Sequence, residues 1–192
     1  MLQTALTFSH TLLAEIVQSG DVVIDATMGN GHDTLFLADL VGSTGHVYSF
    51  DIQEQAIQST KEKLLAHDFT ERASLLLKGH EHIDTIIDAA QPIKAAIFNL
   101  GYLPKGDKSI ITLPQTTQQA IDAILKRLSP EGRLLLVIYY GHPGGTEEKE
   151  KILTYCSELP QKLYNVMTYQ FINQKNNPPI LLCVEKKKTG SN

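Results

Sequence analysis

Apolar residues follow two patterns that alternate along the chain, short continuous runs and longer stretches with one apolar face. The short runs are typical of strands covered on both faces, and the stretches with helical spacing predict amphipathic helices. One helix precedes five strand–helix pairs, and these pairs are followed by two strands in succession. The predicted strands are 21–25, 46–51, 73–77, 95–99, 132–140, 164–172 and 180–185, and the predicted helices are 10–18, 33–40, 53–67, 83–89, 114–128 and 146–157.

This order predicts an α/β fold with a mostly parallel sheet of seven strands. Helices between successive strands return the chain so that the strands run parallel. The last two strands are joined by a polar loop with Asn176-Asn177-Pro178-Pro179 and no helix, which predicts an antiparallel hairpin at the edge of the sheet. We therefore expect a doubly wound sheet with ligands at the carboxyl ends of its strands. Ser9 is expected to cap the first helix.

Length and composition fit one globular domain over residues 1–192. The chain is 42% hydrophobic and 20% charged, an ordinary balance. Its apolar runs are too short to span a membrane and its first ten residues lack a secretion signal, so we expect a cytoplasmic protein. Cys156 and Cys183 are expected to be buried thiols, and the histidines show no metal-ligand spacing.

The net charge of −4 argues weakly against a dedicated nucleic-acid surface, although a local basic patch is compatible with it. The candidates for such a patch are Lys105 with Lys108, Lys126 with Arg127, and Lys186 to Lys188. We favour the interpretation that these are solvated surface side chains.

The loop after the first strand and the acid that ends the second predict an adenosine-containing cofactor. Gly29 and Gly31 allow a sharp turn and a close approach of the backbone to a ligand. Asp51 has the spacing of a carboxylate that binds ribose hydroxyls. Thr34 replaces the third glycine of a dinucleotide loop, and Asp25 suits an amino group better than a pyrophosphate. S-adenosylmethionine is thus favoured over NAD. The alternative to a cofactor site is a tight turn between strand and helix with Asp51 as a capping acid.

Side chains around these strand ends form the predicted cofactor site. They are Asp25, Met28, Gly29, Asn30, Gly31, Asp33, Asp51, Ile52, Gln53, His80 and Asn99. Met28 and the glycine loop should line the methionine end, while Asn30 and Asp33 should hold its amino and carboxylate groups. His80 is expected near the adenine, and a solvated loop histidine is the equally weighted alternative.

Three motifs together resemble the rRNA methylase family of class I S-adenosylmethionine-dependent methyltransferases. They are Asp25-Ala-Thr-Met-Gly-Asn-Gly-His-Asp-Thr34, Phe98-Asn-Leu-Gly-Tyr-Leu-Pro104 with Gly106-Asp107, and Tyr140-Gly-His-Pro-Gly-Gly145. The resemblance covers nearly the whole chain. It implies a Rossmann-like fold, S-adenosyl-L-methionine as donor and N-methylation of 5-aminomethyl-2-thiouridine at the wobble position of a tRNA anticodon stem-loop. It also suggests a homodimer. Thr27 departs from the broader class, in which many enzymes have the first glycine of the loop there, and Lys105 stands where a small residue is expected.

The candidate catalytic residues are Asn99, Tyr102, Asp107 and His142, in the loops after the fourth and fifth strands. The Asn99 segment is similar to the Asn-Pro-Pro-aromatic signature of amine methyltransferases. There the asparagine accepts hydrogen bonds from the target amine and the ring stacks on the base. An alkylammonium must lose a proton before it attacks, and His142 and Asp107 are the candidate bases. The alternative is an Asn–Gly turn with Tyr102 in the core.

Three other functions stay open at this point. The first is a methyltransferase that acts on rRNA or a small amine, and the second is a non-catalytic nucleotide-binding module. The third is an NAD-dependent oxidoreductase, which the missing third glycine disfavours.

Overall fold

The computed structural model describes residues 1–101, 103 and 111–188, in which it contains six α-helices and a seven-stranded sheet. The helices are α1 (Ala5–Ala14), α2 (His32–Val41), α3 (Glu54–Ala66), α4 (Ile83–Ile86), α5 (Pro114–Arg127) and α6 (Gly145–Ser157). The strands are β1 (Val22–Asp25), β2 (His46–Asp51), β3 (Ala73–Leu77), β4 (Ile93–Leu100), β5 (Leu128–Ile138), β6 (Tyr164–Tyr169) and β7 (Ile180–Lys186). Short 3-10 turns cover Thr70–Arg72 and His80–His82.

The strand order of the sheet is β3-β2-β1-β4-β5-β7-β6. The first five strands pair in parallel, and β7 pairs antiparallel with both β5 and β6. This confirms the predicted mostly parallel sheet with an antiparallel hairpin at its end. The order reverses between β1 and β4, so the chain crosses from one half of the sheet to the other there. Ligands bind at such a switch point, at the carboxyl ends of the strands.

Helices cover both faces of the sheet, which explains why its central strands are apolar along their length. In β5, Leu134 and Leu136 pack in the layer that contains α4, α5 and α6. The alternate residues Leu135 and Val137 pack in the layer that contains α1, α2 and α3. Successive side chains of a strand point to opposite faces, so both sets are buried at 0% exposure.

The first helix begins five residues earlier than predicted, and the expected capping role of Ser9 was wrong. Helix α1 spans Ala5–Ala14, and Thr4 caps it by accepting a hydrogen bond from a backbone N–H of the first turn. Ser9 lies on the buried face of the helix, where its hydroxyl donates to the carbonyl oxygen of Leu6 at 2.7 Å. A serine satisfied in this way can occupy a helix interior, so its residue type misled the prediction.

Smaller boundary differences occur where the chain enters or leaves the sheet. Strand β6 ends at Tyr169 instead of 172, and α4 ends at Ile86 instead of 89. Strand β5 starts at Leu128 instead of 132. Leu128 pairs with Ile93 of β4, and the register between the two strands shifts before the next pair, Ala95 with Arg133. No helix within the described ranges is long and apolar enough to cross a membrane.

The two cysteines are buried in opposite layers of the core, which confirms the prediction of buried thiols. Cys156 belongs to the layer with α5 and α6, and Cys183 belongs to the layer with α1 and α2. Burial raises the pKa of both thiols to about 12. Both groups therefore stay protonated and unreactive at neutral pH.

Two basic clusters from the sequence lie at the edge of the sheet opposite to the strands' carboxyl ends. Arg127 is buried at the end of α5, where it pairs with Asp84 and donates to backbone carbonyls. Lys186 donates to the carbonyl oxygen of Leu128, the first residue of β5. Arg127 is thus a structural residue, not a solvated one, and these groups are remote from the crevice.

Candidate active site

The loop between β1 and α2 is fastened to the end of β2 by Asp51. The N–H of Gly29 donates to Asp51 Oδ2 at 2.9 Å, and the N–H of Gln53 donates to Oδ1 at 2.9 Å. Gly29 and Gly31 have φ of +53° and +78°, and a Cβ on Gly31 would lie 2.5 Å from Thr60 Oγ1. The turn therefore requires both glycines. Each oxygen of Asp51 keeps further acceptor capacity towards the crevice.

Asp25, at the end of β1, is fully buried beneath this loop. It accepts hydrogen bonds from Thr34 Oγ1 at 2.6 Å and from the N–H of Thr27 at 3.2 Å. Burial, and then the charge of Asp33, raise the pKa of Asp25 to about 7 against these hydrogen bonds. With 0% of its surface exposed, Asp25 holds the loop in place from below and contacts no solvent.

The raised pKa of Asp25 predicts a pH-dependent stability that Asp25→Asn removes. The folded protein keeps this proton up to about pH 7, whereas the unfolded chain releases it near 3.8. The stability that this carboxyl contributes is therefore fully present below pH 3.8, the pKa in the unfolded chain, and is lost as the pH rises towards about 7, the pKa in the folded protein. Between pH 5 and 7, the free energy of unfolding of the wild type should fall relative to Asp25→Asn by about 2 kcal/mol.

Urea denaturation of both proteins at several pH values measures this difference. Other titrating groups are shared by the two proteins and cancel in the comparison. Parallel curves for the two proteins would show that Asp25 does not carry a raised pKa.

A chain of three polar side chains links α1, α2 and β4 at the bottom of the crevice. Asp33 Oδ1 lies 2.6 Å from His10 Nε2, and Asp33 Oδ2 accepts from Asn99 Nδ2 at 2.5 Å. A carboxylate only accepts hydrogen bonds, so His10 carries its proton on Nε2 and Asn99 presents its amide nitrogen to Asp33. The carbonyl Oδ1 of Asn99 is therefore oriented away from Asp33.

Two further contacts hold this chain in position. The backbone N–H of Asn99 donates to Thr27 Oγ1 at 2.6 Å, which ties the end of β4 to the loop after β1. The ring of His10 stacks on Phe36 of α2 with ring centroids 4.2 Å apart. Thr27, which departs from the pattern of the broader class, thus has a structural partner in β4.

His142 lies against the segment that follows β4. Its Nε2 is 3.7 Å from the position that a Cβ would take on Gly101, and its Nδ1 lies 3.0 Å from the carbonyl oxygen of Pro143. Asn99 and His142, predicted in separate loops, therefore belong to one side of the crevice. A positive charge on His142, when the ring is protonated, favours the ionised form of Glu148 in α6.

Glu148 anchors the segment after β4 from inside the protein. It is 2% exposed and accepts hydrogen bonds from the hydroxyls of Thr112 at 2.6 Å and Thr117 at 3.0 Å. Thr112 in turn accepts from the N–H of Gly101 and donates its own N–H to the Gly101 carbonyl. Burial raises the pKa of Glu148. This network fixes residues 101 and 112, between which the predicted substrate loop runs.

The ends of β2 and β3 combine exposed aliphatic side chains with a buried histidine. Ile52, after β2, is 56% exposed, and Leu77, at the end of β3, is 48% exposed. His80 is buried and its Nδ1 contacts the carbonyl oxygen of Ala26 at 3.1 Å. Its Nε2 has no hydrogen-bond partner within the described part of the chain. Burial lowers the pKa of His80, so this nitrogen is a neutral acceptor.

The remaining predicted residues are placed as follows. Asn30 is half-buried on the glycine loop. Met28 is 3% exposed, so its side chain supports the loop and does not line the crevice as expected. Tyr102 and Asp107, like Lys105 and Lys108, lie outside the described residues. Among the described residues, no group of three or more His, Cys, Asp or Glu side chains is arranged to hold a metal ion.

Three residues at this edge were missed by the sequence analysis. His10 was missed because the first helix was placed too late in the chain. Glu148 shares a helix face with Ile152 and Cys156, at four-residue spacing, and this spacing could have indicated its burial. Tyr139 follows β5, and burial together with the Asp33 charge raises its pKa, which places it near the same crevice. It was missed because the predicted strand 132–140 included it, whereas β5 ends at Ile138.

This strand order, with a glycine loop after β1 and an acid at the end of β2, defines a class I S-adenosylmethionine-dependent methyltransferase. The sequence model of the family described as "Putative rRNA methylase" matches residues 47–185. The chain belongs to this family.

Similar proteins agree with this assignment. The chloroplastic tRNA (mnm(5)s(2)U34)-methyltransferase of Arabidopsis thaliana is 38% identical over 187 residues, which cover 93% of this chain and 68% of that protein. The crystal structure of a "putative rRNA-methylase" from Clostridium thermocellum has a TM-score of 0.94 and 47% identity, and the match covers 97% of this chain and 99% of that one. A "putative methyltransferase" from Streptococcus mutans, in complex with SAH, has a TM-score of 0.89 and 44% identity, with coverage of 97% and 99%.

The protein is therefore a methyltransferase that uses S-adenosyl-L-methionine, and the residues of the crevice fit this cofactor. A carboxylate oriented by backbone N–H groups suits ribose hydroxyls, exposed aliphatic side chains suit a purine, and the buried acceptor His80 Nε2 suits an amino group. The expected homodimer and cytoplasmic location stay predictions.

Proposed function

We propose that this methyltransferase acts on the primary amine of 5-aminomethyl-2-thiouridine at the wobble position of tRNA. The product would be 5-methylaminomethyl-2-thiouridine. The name of the 38% identical Arabidopsis relative supports a tRNA substrate of this kind. The orientation of the Asn99 amide supports an amine as the methyl acceptor, and it is the observation on which the proposal mainly rests.

An amine that attacks a methyl group needs acceptors for its N–H bonds, so that its lone pair points at the carbon. Asn99 Oδ1 is such an acceptor, because the amide nitrogen of Asn99 is committed to Asp33 at 2.5 Å. Asp33 is itself held by His10, which prevents the amide from turning over. Orientation of this kind supplies much of the rate enhancement when two reactants are held in line.

The proton balance of the reaction requires a base beside the amine. An alkylammonium has no lone pair, so one proton must leave before the nitrogen forms its bond to carbon. The Pro143 carbonyl oxygen, 3.0 Å from Nδ1 of His142, places the ring proton on Nδ1 and makes Nε2 the basic nitrogen. His142 Nε2 is thus the proposed proton acceptor among the described residues, with Asp107 as the other candidate from the sequence.

When bound, S-adenosylmethionine supplies a methyl group on a positively charged sulfur. The protein's part is to hold the amine in line with the carbon–sulfur bond, which breaks as the nitrogen–carbon bond forms. The methylated amine then carries a positive charge and two N–H protons, and release of one of them gives the neutral secondary amine. Asp51, Ile52, Gln53 and His80 are proposed to hold the adenosine, and Asn30 and the glycine loop to hold the methionine end.

The adenosine assignment predicts weaker cofactor binding in Asp51→Ala. Loss of a charged hydrogen-bond acceptor should raise the dissociation constant of S-adenosylmethionine about tenfold, or about 1.4 kcal/mol. Isothermal titration calorimetry measures this change. Because Asp51 also fastens Gly29, Asp51→Asn serves as the matched variant that keeps an acceptor there. Wild-type affinity in Asp51→Ala would contradict the ribose assignment.

Mass spectrometry of nucleosides tests the proposed substrate directly. Purified protein and S-adenosylmethionine are incubated with tRNA that carries 5-aminomethyl-2-thiouridine, and in parallel with rRNA and with a simple alkylamine. We expect the wobble nucleoside to gain one methyl group, and the other two acceptors to stay unmodified. Methylation of rRNA or of the small amine, with unmodified tRNA, would replace this proposal by one of those alternatives.

A further inference from the structure

A polar recess adjoins the crevice, between the loop after β5 and the loop that joins β6 to β7. We name it the amide pocket. Tyr140 from the first loop and Phe171, Gln174 and Asn176 from the second line it, and its volume is about 440 Å³. Because β7 runs antiparallel to β5 and starts beside its end, the recess opens at the same edge of the sheet as the crevice.

The chemistry of this pocket is unusual for a protein with a net negative charge. The loop of residues 170–179 carries five side-chain amides and one lysine, Lys175, and no acid. No Asp or Glu occurs anywhere between Glu158 and Glu185. Amides both donate and accept hydrogen bonds, as the edges of nucleobases do. An acid-free, amide-rich loop can therefore approach a polyanion and still bind its bases.

Aromatic and apolar side chains complete the pocket. The ring of Tyr140 is half-buried and the ammonium of Lys149 lies 4.3 Å from its centroid. Phe171 is half-buried against Tyr169, with ring centroids 5.8 Å apart, and the adjacent Ile172 is 92% exposed. Aromatic rings stack on unpaired bases, and a neighbouring lysine meets the phosphate.

The distance from the crevice fits a neighbouring nucleotide. Strands β4 and β7 are separated by β5 alone, so the pocket is two strand spacings, about 10 Å, from the end of β4. The loops are also in contact, since a Cβ on Gly141 would lie 3.7 Å from Asn177. Gly141 directly precedes His142, so the pocket and the proposed base share one loop.

We infer that the amide pocket binds the base of a nucleotide next to the target nucleotide on the same RNA strand. This inference rests on the proposed tRNA substrate, because a small amine bound in the crevice is too short to extend into the pocket as well. RNA loops present unstacked bases that proteins bind by stacking and by hydrogen bonds to the base edges. The basic clusters remote from the crevice are not needed for this contact.

Binding of an anticodon stem-loop RNA to the full-length protein tests the inference without requiring turnover. The probe carries 5-aminomethyl-2-thiouridine at the wobble position, and S-adenosylhomocysteine is present. Tyr140→Ala and Gln174→Ala should each raise the dissociation constant about tenfold. Gln174 is exposed on its loop, so its variant remains informative if Tyr140→Ala does not fold. Cofactor affinity should stay unchanged in both.

Two lysines of α6 provide a matched pair. Lys149 adjoins Tyr140, whereas Lys151 pairs with Glu147 one turn away at 2.6 Å. Lys149→Gln should weaken binding and reduce the salt dependence by about one counterion. Lys151→Gln, which removes the same charge from the same helix, should bind as the wild type does.

Stem-loops that lack one base complete the test. Removal of the base on one side of the target should weaken binding to the wild type about tenfold. It should have no further effect on binding to Tyr140→Ala, because that variant has already lost the ring on which the base stacks. The inference would be overturned if the missing base and Tyr140→Ala weakened binding additively, or if both pocket variants bound as the wild type does. Methylation of the stem-loop would in that case still support the proposed function. Weakened variants without methylation of the stem-loop would keep the amide pocket as a site for an RNA base and overturn the proposed function. A wild type that does not bind the RNA would overturn both.

Discussion

Asn99→Ala is expected to lower kcat by about 10² to 10³-fold, the scale at which loss of one oriented polar group slows an enzyme. The variant removes the proposed acceptor of the amine's hydrogen bonds, whereas Asp51 and the glycine loop stay in place. The affinity for S-adenosylmethionine should therefore change little. Single-turnover methylation of tRNA measures the rate, and calorimetry measures the affinity. This split between rate and affinity separates a substrate-aligning side chain from a cofactor ligand.

Asn99→Asp is the matched variant for this prediction. It keeps the size of the side chain but places a second carboxylate beside Asp33, where the amide nitrogen now lies at 2.5 Å. Two like charges at that distance repel each other, so the new side chain should leave its position and the rate should fall as it does in Asn99→Ala. If either variant lost cofactor affinity with kcat intact, Asn99 would belong to the cofactor site.

The sequence predicts the sheet well because its strands are covered on both faces. Apolar runs such as 134–138 and the acids that end β1 and β2 mark the strands and their carboxyl ends. Local chemistry then locates the glycine loop, Asp51 and Asn99. All three depend on residues close to one another along the chain, where spacing carries the information.

The interactions that hold the site together join distant parts of the chain, and the sequence does not reveal them. His10 contacts Asp33 across 23 residues, and Asn99 contacts Asp33 across 66. Glu148 reaches Thr112 across 36. Such pairs depend on how helices pack on the sheet, which local propensity does not determine. Ser9 is an example. Serine alone is typical of a helix cap, but Ser9 lies inside α1 on the face that packs against the sheet.

Asp33→Ala should be the most informative variant of this long-range network. It leaves both His10 Nε2 and Asn99 Nδ2 without their acceptor, and hydrogen bonds to a charged group contribute about 1.5–3 kcal/mol each. With its amide able to rotate, Asn99 would present nitrogen as readily as oxygen to the amine. We expect kcat for tRNA methylation to fall about a hundredfold with little change in KM.

His10→Ala and Asp33→Asn complete this prediction. His10→Ala removes only one of the two partners of Asp33, so its rate should lie between those of the wild type and Asp33→Ala. Asp33→Asn keeps an oxygen for Asn99 and should recover part of the activity. Because the charge of Asp33 raises the pKa of Asp25, both Asp33 variants should also lower that pKa and weaken the loss of stability between pH 5 and 7. An Asp33→Ala protein that methylates tRNA at the wild-type rate would show that the orientation of Asn99 does not depend on this carboxylate.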